Sequence, residues 1–314
     1  MQAVSAIISA GNAAGVVTVD GRILGEAPVH VMLPAEGECY VGLHPERAGF
    51  YGVTRRLRFA EGRLRDCPPD VRAYGWRGGL YEIVIDCGVL PAPRPRRFPF
   101  TVARCAFEGA QAVLYYEDGL WLSLEKNGRV AAGFPLHEDA EAGELMPAGR
   151  ALLAAAHGAR DSLLMINERY EEAARLEAED IRLEEGAAVA TEPLGLACGY
   201  ERRTRWRAEA GGLVSEAVET GFFNREPASC APGLRFLEAM LAGLEDEAAA
   251  MLSPALKTGA AEARAFLGAF TLARPHPADP RAAGIAVYAE GVTELRTLLF
   301  ETEGGQIVNI LEES

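Results

Sequence analysis

Five histidines, at 30, 44, 137, 157 and 276, are the side chains best suited to moving protons near neutral pH in this chain. Only His137 is followed directly by two carboxylates, in His137-Glu138-Asp139, and its place between apolar runs reads as a polar loop. A nucleophile needs a base within hydrogen-bond reach. The sequence supplies no recognisable frame for one: there is no G-x-S-x-G elbow, no phosphate loop, no G-x-G-x-x-G after a strand and no H-E-x-x-H. Cysteines at 39, 67, 87, 105, 198 and 230 include no C-x-x-C pair and no histidine at zinc-ligand spacing, so separate reduced thiols are expected. No catalytic residue, metal site or cofactor is expected from these patterns.

Aromatic residues offer binding chemistry instead. Tyr74, Trp76 and Tyr81 fall close together in "VRAYGWRGGLYEIVIDC" and form a candidate binding surface for sugar or protein. The simpler reading has the same rings packing across a sheet, and it is the one preferred. Phe266, Phe270 and Tyr288 are candidates to line a small-molecule pocket near the C-terminus. Arg203, Arg205 and Arg207 flank Trp206 on a strand pattern, which reads as a solvated face.

The elements that must carry these residues are bounded by composition. At 314 residues the chain exceeds the size at which one core keeps growing, so two or three domains are expected. A net charge of −14 opposes phosphate-rich partners, and nucleic-acid binding is not expected. Only Lys126 and Lys257 are lysines, the other basic residues being arginines, an imprint expected of a GC-rich bacterial genome. No apolar stretch approaches the ~20 residues that span a bilayer. The N-terminus lacks basic residues before its short apolar run, so it reads as a first strand rather than a secretory signal, and the chain as written is expected in the cytoplasm.

From residue 16 to 61 apolar residues alternate with period two between turn residues, the pattern of strands. Val17, Val19, Asp20, Gly21, Gly25, Pro28, Leu33, Gly37, Tyr40 and Val41 together resemble the PEGA family of small β-modules, with Ala27 where that family usually has Thr. The resemblance covers about 50 residues and implies a sandwich-type module used for attachment and protein contact, in which Asp20-Gly21 is a turn and not a catalyst. A further hairpin is expected around Gly78-Gly79, which makes 1–89 the first domain.

"LPAPRPRRFPF" (90–100) contains four prolines and reads as a stiff connector. Beyond it, a second β-rich domain is expected over 98–225. Asp118-Gly119 and Asn127-Gly128 lie between alternating apolar runs, the strongest short-range hairpin signal. The similar endings "RVAAGFPL" and "AVATEPL" suggest a duplicated unit with a period of about 60 residues. The stretch 170–185 fits either an amphipathic helix or two strands, and strands are preferred beside so many others.

Helical spacing begins with Leu234, Leu237, Met240, Leu241 and Leu244. Ser253-Pro254 opens a short turn; Phe266, Leu267 and Phe270 mark a third helix; Pro275, Pro277 and Pro280 end it. Three strands follow, giving an α+β domain over 231–314 with helices on an antiparallel sheet. Its order and its "GQIVNI" finish resemble the nuclear-transport-factor-2-like (NTF2-like) group, whose members include enzymes, ligand binders and dimerisation modules.

The whole is expected to be a multidomain, predominantly antiparallel β protein, with sandwich-like and meander sheets and a C-terminal α+β domain. The functional expectation is a non-enzymatic binding or scaffold protein of bacterial type, contacting protein or glycan through β surfaces. The rival expectation is a small-molecule-binding protein or enzyme using the C-terminal pocket, and the third is homo-oligomerisation through the C-terminal sheet face.

Overall fold

Side chains of a strand point to opposite faces in turn, so a period-two sequence forms sheets with one apolar face or, where both phases are apolar, sheets buried on both sides. Both kinds are present. A computed structural model describes residues 3–90, 99–209, 211–256, 260–286 and 292–313. They form mostly antiparallel sheets, with helices only near the C-terminus, which is the fold class expected. Among the described residues no helix is long and apolar enough to cross a membrane.

The chain divides into two compact units, one of Met1–Pro93 with Ser229–Ser314 and one of Arg94–Ala228. In the first unit, sheet I contains Arg22–Glu26, Gly15–Val19, Gly37–Pro45, Val53–Ala60 and Arg63–Asp66, in that order. Sheet II contains Val292–Glu294, Val71–Trp76, Leu80–Ile85, Ala3–Ala10 and Val29–Pro34. Ile8, Leu33, Leu43, Leu57, Phe59 and Ile83 lie between them in one core. Asp20 and Gly21 take positive φ, as a two-residue hairpin turn requires, and the Asp20 carboxylate accepts the Tyr40 backbone N–H at 2.8 Å. Gly78 and Gly79 likewise turn the expected hairpin between Val71–Trp76 and Leu80–Ile85.

Sheet VI, in the order Leu272–Pro275, Ala282–Ala286, Arg296–Glu303 and Gln306–Glu312, shares a second core with the other face of sheet II. Helices α1 (Pro232–Leu241), α2 (Glu245–Ala250) and α3 (Ala260–Leu267) precede it. Pro232 stands in the first turn of α1, and Leu234, Phe236, Leu237 and Met240 are its buried stripe. Gly233 is needed for contact: a Cβ there would stand 2.3 Å from the Phe300 ring. Ser253 Oγ accepts the Leu256 N–H at 3.3 Å and opens the short turn Pro254–Leu256 as expected. Helix α3 ends at Leu267, so Phe270, expected within it, lies beyond it.

The three-segment expectation differs from this division in one respect. Strand Val292–Glu294 pairs in parallel with Val71–Trp76, which puts 1–89 and 231–314 in one unit and not in two domains. Alternation marks a strand but does not name its neighbour; pairing across 200 residues is set by which faces bury together.

The second unit is three successive four-stranded antiparallel meanders: sheet III (Phe100–Phe107, Ala110–Tyr116, Leu120–Lys126, Arg129–His137), sheet IV (Ala142–Ala148, Ala151–His157, Asp161–Ile166, Glu172–Ala178) and sheet V (Asp180–Glu184, Ala187–Pro193, Glu201–Glu209, Gly212–Gly221). Sheet IV is the middle layer. Its Leu152, Ala154, Ala156, Leu164 and Ile166 join the core with sheet III, and its Leu153, Ala155, Leu163 and Met165 join the core with sheet V. That double burial is why "ALLAAA" and "SLLMI" are continuous apolar runs. The stretch 170–185 is strand, as preferred. The suggested duplication is corrected: "RVAAGFPL" forms the last strand of sheet III, whereas "AVATEPL" forms the second strand of sheet V, so the two endings are not equivalent. Residues 91–98 of the expected connector lie outside the described residues.

Candidate functional site

Asp118-Gly119 turns the second hairpin of sheet III, with Asp118 at φ 51° and Gly119 at φ 136°. The next residues, "LWLSL", send Leu120, Leu122 and Leu124 into the core with sheet IV, which leaves Trp121 on the opposite phase. Trp121 is 36% exposed, and its indole N–H donates to the Glu117 carbonyl at 3.2 Å, which fixes the ring over the turn. Pro135 is its cross-strand partner on the neighbouring strand.

Residues of sheet IV line the same cleft. Asp118, Trp121, His137, Ser162, Arg175 and Glu177 all line one cleft of about 670 Å³. Arg175 spends its guanidinium on structure. It donates to the Pro135 and Leu136 carbonyls at 3.0 and 3.3 Å and forks onto Glu172 at 3.1 and 3.2 Å, tying the last strand of sheet IV to the last strand of sheet III. His137 Nδ1 accepts the Asp139 N–H at 3.0 Å. Gly158, in the neighbouring hairpin, has no side chain because a Cβ there would stand 2.8 Å from the His137 ring.

Three polar groups of the cleft are unspent. Asp118 and Glu177 have no ion-pair or hydrogen-bond partner among the described residues, in a protein whose other charges are widely paired. Ser162 is 3% exposed and lines the cleft, and its hydroxyl likewise has no partner among the described residues. Among the described residues no group of three or more His, Cys, Asp and Glu is placed to hold a metal ion.

Other titratable clusters are structural ties. Asp161, 5% exposed, accepts the backbone N–H of Gly158 at 3.2 Å and of Ile181 at 2.9 Å, and pairs with His157 Nδ1 at 2.8 Å, so that sheet IV is pinned to the first strand of sheet V. His157 Nε2 stands 3.3 Å from Glu144. Burial opposes charging of His157, but the hydrogen bond and charge of Asp161, followed by those of Glu144, outweigh it and raise its pKa. Glu201 is buried and accepts the N–H groups of Phe223 and Asn224 at 2.8 Å each. On sheet V, Arg203, Arg205 and Arg207 face Glu219 and Glu216 at 3.2–3.4 Å, a ladder of ion pairs on a solvated face.

The residues singled out from sequence lie elsewhere. Tyr74, Trp76 and Tyr81 are 8, 2 and 5% exposed, so they are core side chains and offer no exposed surface. They also point to opposite faces of sheet II: Tyr81 meets Phe59 edge-on at 6.1 Å, while Trp76 meets His276 at 4.6 Å. Phe266 is half exposed on α3, Phe270 is half-buried past its end, and Tyr288 lies outside the described residues; neither phenylalanine lines the cleft above. None of the six cysteines is in a disulfide. The cleft residues were missed because an isolated Trp on the polar phase of a strand is a weak signal, and Ser162 and Glu177 come from another sheet.

No protein-family model and no curated protein matches the chain. Among solved structures, a crystal structure of the eukaryotic initiation factor is similar over 62% of this chain and 57% of that one, at 11% identity and a TM-score of 0.30. A subtype N10 neuraminidase-like protein of A/little yellow-shouldered bat/Guatemala/060/2010 is similar over 71% of this chain and 81% of that one, at 10% identity and a TM-score of 0.25.

Proposed function

We propose that this chain is a non-enzymatic binding or scaffold protein, contacting a protein or glycan through its β surfaces, and that the cleft between sheets III and IV is the point of contact. One observation carries the reading. Trp121, held through its indole N–H, lines a cleft together with Ser162 and with Asp118 and Glu177, two carboxylates that have no partner among the described residues, whereas His157, Asp161, Glu201 and Arg175 are committed to holding strands together. Sites that recognise ligands combine an apolar face with a few placed polar groups. The resemblance of 17–41 to PEGA modules agrees with a contact role for the first unit.

The test has two arms. The protein and its Trp121→Ala variant are applied to glycan and peptide arrays, and binding that the substitution removes is the expected result. A parallel screen offers ester, glycoside and phosphate substrates; turnover abolished by a single point mutation would refute the reading.

A further inference from the structure

We infer that the first unit pairs with a second copy of this chain about a two-fold axis, through the side of the sandwich where Arg22–Glu26 ends sheet I and Val29–Pro34 ends sheet II. The contact is separate from the cleft of the second unit and goes beyond the binding reading. Both strands are outermost in their sheets, and Arg22, Leu24, Val29, Val31 and Met32 line one open cleft of about 580 Å³ between them. An edge strand presents unpaired N–H and C=O groups, which proteins ordinarily guard with charge, proline or a bulge. The far edge of sheet I, Arg63–Asp66, is guarded in this way, since only Leu64 among its residues is uncharged. Val29–Pro34 reads "VHVMLP", with no Asp, Glu, Lys or Arg, proline only at its last position and an unbroken register with Ala3–Ala10. Beside it Ile23, Leu24 and Met32 are 76, 43 and 61% exposed, an apolar rim of the kind that marks an interface.

Charge order selects the occupant. Arg22 begins its strand and Glu26 ends it, both are exposed, and neither has an ion-pair or hydrogen-bond partner among the described residues. Laid antiparallel to itself about an axis at Leu24, this strand sets Arg22 of each copy beside Glu26 of the other. Leu24 is the extra residue in the pairing with Gly15–Val19, so Arg22–Glu26 contributes side chains, and the backbone ladder falls to Val29–Pro34. Ala27 and Pro28 join the two strands, which puts Leu24 and Val31 level with each other. The same axis therefore sets Val31 opposite its own counterpart, His30 opposite Met32 and Val29 opposite Leu33. Side chains directly opposite in an antiparallel pair share a face, and this register matches exposed His30 with exposed Met32 and keeps the valines and Leu33 on the core side. A charge of −14 on each chain opposes association as a whole, but that opposition is weak where one edge strand is uncharged and the other carries one charge of each sign.

Sedimentation equilibrium of the full chain tests the pairing. A dimer is expected with a dissociation constant of about 10 μM or below. The axis repeats every change, so Arg22→Glu sets two like-charged pairs across the contact and is expected to weaken the dimer about tenfold, or about 1.4 kcal/mol. Glu26→Arg is expected to do the same. The combined variant, Arg22→Glu with Glu26→Arg, reverses the order of charges and is expected to return to within about threefold of the parent. Both positions are exposed, so the fold is kept. Met32→Lys, which places a charge on the apolar rim opposite His30, is expected to weaken the dimer as well. A monomer at about 100 μM would overturn the inference. So would a dimer indifferent to the single reversals or to Met32→Lys, or one that the combined variant fails to restore. Each of these results leaves the reading of the cleft in place, since that reading is tested by Trp121→Ala on arrays.

Discussion

Glu82 and Arg274 stand 192 positions apart and meet in a two-pronged ion pair, with Nη2 donating to Oε1 at 2.6 Å and Nε to Oε2 at 3.2 Å. Arg274 also lies 3.9 Å over the Tyr74 ring. Both charges are largely withdrawn from water, so the pair joins the first and last thirds of the sequence within one unit.

Removing one partner leaves the other charge buried and alone. Arg274→Ala is expected to destabilise the first unit by about 3–5 kcal/mol, and an apolar pair, Glu82→Leu with Arg274→Met, to recover most of that loss. Denaturant titration of the single and double variants measures both. A loss below about 1 kcal/mol for Arg274→Ala, the size of an exposed pair, would contradict the burial argument.

Replacing a helical glycine by alanine ordinarily helps, by up to about 1 kcal/mol. Gly233→Ala is expected to do the reverse and cost about 1–3 kcal/mol, because the added methyl would stand 2.3 Å from the Phe300 ring in a packed core. Thermal unfolding checks the sign directly.

The raised pKa of His157 gives a pH dependence of definite sign. A histidine that binds its proton more tightly when folded contributes stability below its ordinary value of 6.5, and that contribution disappears as pH rises through the folded value. The second unit is therefore expected to melt at a lower temperature above that range than below it. His157→Gln should flatten the slope, and an unchanged slope in this variant would remove His157 as its source.

Thiol reactivity should follow burial. Burial, with the charge of Asp20 added, pushes the Cys39 thiol up to about 11, so it is expected to resist a maleimide in the native state at pH 8. The half-buried Cys67, Cys105 and Cys230 are expected to label before the buried Cys39, Cys87 and Cys198. Mass spectrometry of digests after brief labelling reads the order.

Turn chemistry and strand alternation were legible along the chain. Asp20-Gly21 and Asn127-Gly128 form two-residue hairpin turns, and Gly78-Gly79 and Asp118-Gly119 lie in three-residue hairpin loops; all need positive φ, and these residues supply it. The helical stripe of α1 was equally readable. That Tyr74, Trp76 and Tyr81 pack rather than form a surface was the preferred reading and they are buried; which face each ring takes was not legible, because it depends on sheets I and VI covering sheet II on both sides.

What the sequence determined by itself is therefore local: where strands start and stop, and which side chains share a phase. The tertiary structure decided which strand lies beside which, and so brought Glu82 to Arg274 and placed Trp121, Ser162 and Glu177 along one cleft. The physical reason is that backbone dihedrals respond to near neighbours, whereas sheet stacking responds to the burial of whole faces, and a face is assembled from residues that have no adjacency in the chain.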